Sequence, residues 1–351
     1  MRVKNTLHIA VLALLLGTMS GCEKMFMDSS AGDSATEVFE YLWKQVDERY
    51  SLFDVKEVDW NAMHDSLRPQ VYDGMGNDSL FRVLGKMLNS LNDGHVDLWS
   101  GNDVASSEQI FLQRYGKGNF DLNTVALHYL RPDHHTTGGM AYNSIAGGKV
   151  VYVRYSSFSN SASTSEFKKI LDRYPDAEGL VFDIRQNGGG AIQNEWNLMA
   201  LLPGKGQLLY STQMKSGPGH NDFGELKQVH APANGDNKPY RRPVVLLTDR
   251  GCYSAASSFA LCLKSYDNVT VVGDTTAGGL AIPAGGALPN GWYYRFGVSR
   301  TIAPDGVNYE QGVPPDVVVT LSREAVAAGR DNIIDSACSI ILNQTTKHRT
   351  L

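Results

Sequence analysis

The residues of this chain best equipped for chemistry are a serine, Ser254, and a run of glycines, Gly188, Gly189 and Gly190. The glycines end the stretch EGLVFDIRQNGGG, a buried-strand pattern over Gly179–Ile184 that runs straight into them. The serine lies in PVVLLTDRGCYSAASSFALCLK, a second apolar strand at Val244–Leu247, then a tight turn, then a helical pattern from about Ser254. A serine at a strand-to-helix turn gains exposure, and the backbone N–H groups beside it can face a developing oxyanion. A glycine run after a neighbouring strand lets backbone approach a substrate, since no Cβ intervenes. Each piece alone is ordinary, because glycines make turns and serines make helix N-caps. Paired in one α/β sheet, they point to a serine hydrolase. Ser254 is then the nucleophile, and the oxyanion sits between the N–H of Ala255 and that of Gly189 or Gly190.

A serine hydroxyl is a weak nucleophile at neutral pH and needs a base within hydrogen-bond reach. An imidazole near its own pKa can take the proton and return it to the leaving amine. Nine histidines make coincidence cheap. His95, in LNDGHVDLW, is presented on a turn where Gly94 stops a helical pattern; His220, in GPGHNDF, is its rival in a glycine-flanked loop. Asp183 and Arg185 read as a structural ion pair holding the glycine loop, and Asp316, in a Pro-Pro-Asp turn, as a turn-former.

The elements that must position these groups follow from periodicity. From Ala35 to Leu98 the pattern is helical, with Val38, Leu42, Val46 and Tyr50 at four-residue steps and Leu80, Leu84, Met87 and Leu91 repeating the theme. A short helix is expected from about Trp60. This reads as a helical subdomain over 35–98 without strands of its own. Beyond it, strands are expected at Lys149–Tyr155, Gly179–Ile184, Gly206–Gln213, Val244–Leu247, Val269–Val272, Tyr293–Val298 and Val317–Thr320. Helices are expected at Thr164–Arg173, Ile192–Leu202, Ala255–Ser265 and Ser322–Asn343. Alternation of strand and helix argues for an α/β core over 99–351 with a mainly parallel, layered sheet. Lys215–Arg242 has no clean periodicity and reads as a long binding loop.

The ends and the composition bound the rest. A formal charge of −5 and 20% charged residues describe an ordinary globular protein, with no basic stripe for nucleic acid. Arg2 and Lys4, an apolar Ile9–Leu16 and Met19-Ser20-Gly21-Cys22 have the shape of a signal peptide over 1–21. The cysteine after that small-residue site resembles the lipobox of bacterial lipoproteins, which implies a lipid on Cys22. Residues 22–34 then form a flexible tether, and the expected location is the periplasmic or cell-surface face of a bacterial membrane. Cys252, Cys262 and Cys338 have neither disulfide-framework nor metal spacing, so no metal or other cofactor is expected.

Taken together, the motifs resemble the tail-specific, or C-terminal-processing, family of serine peptidases, whose pattern is a DLRxNxGG segment followed by a SASE-like nucleophile turn. Here these read Asp183-Ile184-Arg185-Gln186-Asn187-Gly188-Gly189-Gly190 and Ser254-Ala255-Ala256-Ser257, with Ser257 in place of the family's glutamate. Processing peptidases use a Ser–Lys dyad with the lysine in a GEPTFGKG-like segment. The matching segment is Gly273–Gly279, and the lysine position is Gly279. The tricorn-core branch lacks that lysine and uses a histidine base with a supporting glutamate. By that resemblance His95 is the base and Glu310, in NYEQGVPPD, its support, while Gly94 stands where that branch has a serine. The resemblance implies a crotonase-like core of ββα units and a peptide or protein substrate. A non-catalytic member that binds peptide or hydrophobic ligand is the competing expectation.

Overall fold

The computed structural model describes residues 32–107, 118–204 and 206–349. The signal peptide expected over 1–21 and Cys22 lie outside the described residues, with most of the tether. The described residues divide into two compact units, one made of 32–107, 215–222 and 283–298 and the other of the remaining described residues.

In the first unit, helix Ala35–Arg49 starts at a capping box in which Ser34 and Glu37 exchange side-chain-to-backbone hydrogen bonds. It buries Val38, Leu42 and Val46, and Tyr50 at its C-cap is buried too, which is the stripe the four-residue spacing requires. Helix Trp60–Leu67 begins at Asp59, whose carboxylate accepts from the N–H of Ala62 at 2.9 Å. Helix Asn77–Asn89 buries Leu80, Leu84, Met87 and Leu88. The unit also contains a four-stranded antiparallel sheet in the order Pro283–Ala287, Tyr293–Gly297, Asp97–Trp99, Val104–Ser106. The helical reading of 35–98 holds for its helices, but the sheet begins at Asp97 and borrows partners nearly 200 residues away. Strands of three residues with distant partners leave no periodicity to read.

The second unit is organised by a seven-stranded sheet. Its order is Val317–Val318, Val269–Gly273, Val244–Thr248, Gly179–Asp183, Val150–Tyr155, Met140–Ile145, His135–Thr137. The first five run parallel; Met140–Ile145 is antiparallel to Val150–Tyr155, and His135–Thr137 is antiparallel to Met140–Ile145. Strands Val150–Tyr155, Gly179–Asp183 and Val244–Thr248 are buried at every position because both faces of the sheet are covered. Leu180, Phe182, Val244 and Leu246 pack on the face shared with Phe259, Ala260 and Leu198. Val181, Val245 and Leu247 point the other way, against Ile333, Ile334, Ala337 and Ile341 of helix Asn332–Arg349. This two-residue alternation carries both clusters on one sheet.

Three expectations are refined. The helix expected over 322–343 is two, Arg323–Ala327 and Asn332–Arg349, separated at Gly329, whose φ of +71° a helix cannot continue. The strand expected to end at Val298 is two strands in different units, Tyr293–Gly297 and Ser299–Ile302. Ser299–Ile302 pairs with Leu208–Met214, which in turn pairs with Lys227–His230 inside the supposedly irregular stretch.

Candidate active site

Strands Gly179–Asp183 and Val244–Thr248 are hydrogen-bonded parallel neighbours, so the turns that leave them emerge side by side. The Asp249 carboxylate links the two turns. Asp249 accepts from the N–H of Gln186 at 2.8 Å and of Gly251 at 3.0 Å through Oδ1, and from Gln186 Nε2 at 2.7 Å through Oδ2. Gly251 is required there, since a Cβ would lie 2.5 Å from the Gln186 side chain.

The second turn ends at Ser254 with φ +54° and ψ −121°. Few non-glycine residues adopt such a conformation; it costs of order 1–3 kcal/mol and persists only where the surroundings over-determine it. Here the N–H of Ser254 donates to Gly278 O at 2.9 Å, its carbonyl accepts from Ser258 N–H at 2.9 Å, and Tyr253 N–H donates to Asn187 O at 3.0 Å. The Ser254 side chain makes no capping hydrogen bond to helix Ala255–Leu263, so this serine is not the ordinary N-cap its position allows. Ser257 is buried and its hydroxyl donates to Cys252 O at 3.1 Å.

Gly189 faces this turn at φ +100°. A Cβ on it would sit 2.9 Å from Ser254 Cβ and 3.0 Å from the amide nitrogen of Ala255. Glycine therefore keeps the space in front of the Ala255 N–H clear. Asn187 braces the loop: Oδ1 accepts from Gly189 N–H at 3.0 Å and Phe158 N–H at 3.3 Å, and Nδ2 donates to Tyr155 O at 2.9 Å. Gly189 N–H is thus engaged, whereas the N–H groups of Gly190 and Ala255 have no acceptor among the described residues. Behind the loop, Arg185 pairs with Asp183 at 2.6 Å and with Asp331 at 2.9 Å, all three buried. Asp183–Arg185 is the expected ion pair, and Asp331, at the start of the C-terminal helix, is a third member that the sequence did not flag.

Glu310, in the same unit, is buried rather than facing solvent. Its Oε2 accepts from the N–H groups of Leu280 and Ala281, both at 2.8 Å, and its carbonyl accepts from Gly279 N–H at 3.0 Å. Glu310 therefore organises the segment whose Gly278 carbonyl holds Ser254. Gly279, where processing peptidases carry their lysine, has φ +77°, and a Cβ there would lie 2.3 Å from the Tyr253 ring. Lys264 is paired with Asp316 and donates to Pro314 O at 3.0 Å.

The two histidines lie in the first unit. Asp93 Oδ1 accepts from His95 N–H at 2.9 Å, and Tyr50 donates to Asp93 Oδ2 at 2.9 Å. His95 is buried, and that burial lowers its pKa below the ordinary histidine value despite the opposing charge of Asp93. It is a neutral imidazole at pH 7. His220 is occupied elsewhere, pairing with Asp47 at 2.9 Å and stacking on Phe53 at 4.3 Å.

Sequence reasoning missed Asp249 and the bracing role of Asn187. Asp249 had a signal, an aspartate closing an apolar strand two residues before a glycine, the setting of an Asx-turn. Its bonds to Gln186 had none.

Two family descriptions match the chain: Peptidase family S41 over 149–319 and the Tricorn protease C1 domain over 33–89. A crystal structure described as a putative peptidase from Parabacteroides merdae is 34% identical, covers 89% of this chain and 98% of its own, and superposes with a TM-score of 0.82. The carboxy-terminal processing protease CtpA of Bacillus subtilis is 24% identical over 251 residues, 70% of this chain and 49% of that protein. The chain spans about half the length of the curated relatives it matches first. The tricorn protease shares the fold, at 14% identity over 90% of this chain and 37% of its own, with a TM-score of 0.54.

Proposed function

Since this chain belongs to peptidase family S41, we propose that it is a serine protease that hydrolyses peptide bonds of peptide or protein substrates through Ser254, on a crotonase-like core. The observation that carries the reading is the strained Ser254 at a strand-to-helix turn, with a glycine leaving the Ala255 N–H uncovered beside it.

In this reading His95 takes the hydroxyl proton as Ser254 Oγ bonds to the scissile carbonyl carbon. The carbonyl π electrons move to oxygen, and the oxyanion is met by the N–H groups of Ala255 and Gly190, with Gly189 as the clearing residue or, if Asn187 releases it, a donor. His95 then gives the proton to the departing amine as the C–N bond breaks, and water repeats the sequence on the acyl-enzyme. One such donor is worth about 2.7–4 kcal/mol in the transition state. Glu310 supports the histidine and holds the segment behind Ser254. A lowered histidine pKa suits this role, because the base is neutral where the enzyme works.

Fluorophosphonate labelling tests the reading: the wild-type protein takes the label and Ser254→Ala does not. Equal labelling of both, or of neither, overturns it. The same proposal places the protein on the membrane through lipid on Cys22, facing the periplasm or the cell exterior. Cys22→Ser then shifts it to soluble fractions or blocks processing, and unchanged membrane association removes the anchor.

A further inference from the structure

Two helices of the first unit treat their surface charges differently. On helix Ala35–Arg49, Lys44 stands four positions before Glu48, with the two charged groups 3.9 Å apart. On helix Asn77–Asn89 two cations, Arg82 and Lys86, hold the same spacing. Like charges one turn apart on a helix repel, where opposite charges attract. Arg82 donates to Ser79 Oγ at 3.0 Å, but neither cation belongs to an ion pair among the described residues. Both are exposed.

The two cations line one cavity of about 600 Å³. Gly85, between them in sequence, meets strand Val104–Ser106 in its wall, where a Cβ would lie 2.9 Å from Ala105 Cβ. Phe81 and Met63 make the wall apolar. Asn89 adds an amide whose Oδ1 accepts from Ser107 Oγ at 2.8 Å, so Nδ2 is left as a donor with no acceptor among the described residues. No carboxylate of the described residues lines the cavity. Arg82, Lys86 and Asn89 therefore form a row of donors along one side of the helix, about 10 Å long.

We propose that this cavity binds an acidic peptide segment that carries an apolar side chain. The row offers donors alone, so the ligand supplies acceptors, and two unpaired cations call for negative charge. Its length matches about three residues of an extended chain and exceeds a single carboxylate or phosphate. Phe81 and Met63 give an apolar side chain a place to leave water. Two cations on a chain of net charge −5 are too few to hold a nucleic acid. Every residue of the site belongs to the first unit, and the proposal does not depend on Ser254 being a nucleophile.

Fluorescence anisotropy tests it with two fluorescein-labelled peptides capped at both ends, Glu-Phe-Glu-Glu and Gln-Phe-Gln-Gln. The protein carries Ser254→Ala, so that the probes stay intact. The acidic peptide binds saturably, and the glutamine peptide binds more weakly by about tenfold or more. Added salt weakens the acidic peptide alone. Arg82→Gln combined with Lys86→Gln removes the difference, while circular dichroism shows the helices intact. Asn89→Asp, whose Oδ1 still accepts from Ser107, adds a negative charge to the row and weakens the acidic peptide as well. Equal affinities for the two peptides, or a preference that survives the double variant, overturns the proposal. Inorganic phosphate that binds as tightly as the acidic peptide overturns it too, since the cavity is then a simple anion site.

Discussion

The turns that carry His95 and Ser254 begin the same way and end differently. Each opens on a buried aspartate whose Oδ1 accepts the N–H two residues on, Asp93 from His95 at 2.9 Å and Asp249 from Gly251 at 3.0 Å. After that they diverge. Asp93 spends its second oxygen on the Tyr50 hydroxyl within its own unit, and His95 keeps a negative φ. Asp249 spends its second oxygen on Gln186 of the neighbouring turn, and the chain goes on to a serine at φ +54°. The histidine turn places the Asp93 charge beside an imidazole whose pKa it raises against the effect of burial. The serine turn fixes a shape. One device, a short-range Asx hydrogen bond, sets electrostatics in the first case and geometry in the second.

Substitutions in the two turns separate these roles. The largest effect belongs to His95→Ala, which under the proposed mechanism lowers kcat by about 10⁶, with Glu310→Gln costing less, about 10⁴. Retained activity in His95→Ala removes that residue as the base. Next comes Asp249→Ala, which frees Gln186 and Gly251 together. Its kcat falls about 10–100-fold with KM and the pH midpoint unchanged, and Asp249→Asn recovers part of the loss. A shifted midpoint there would give the serine turn an electrostatic role as well. The smallest effect is Asp93→Asn. Under the proposed mechanism the kcat/KM of the wild type is expected to rise with pH through a midpoint below the ordinary histidine value of about 6.5, because only the neutral imidazole accepts a proton. Removing the Asp93 charge removes an influence that raises that pKa, so the midpoint moves lower still. A midpoint that stays fixed or climbs contradicts the contrast between the turns.

Much of this was legible in the sequence, where local pattern and tertiary demand agree. The continuous apolar runs at 179–184 and 244–247 are strands because helices cover both faces of the sheet. The glycines at 188–190 are where the backbone reaches positive φ at 189 and 190. Legibility failed where partners are distant in sequence. Trp99 pairs with Tyr293, and Gln186 with Asp249, through contacts that no window of neighbouring residues contains. Nor does composition reveal that Glu195 is a buried acid, since its helix shows ordinary polar spacing and only the tertiary fold closes over it.

Backbone strain, not side-chain capping, sets Ser254 apart from Ser257 and Ser258 of the helix that follows it. Peptide mapping by mass spectrometry of the fluorophosphonate-labelled wild-type protein tests this most directly. A single phosphonyl adduct on Ser254 is the expected result. An adduct on Ser257 or Ser258 contradicts it.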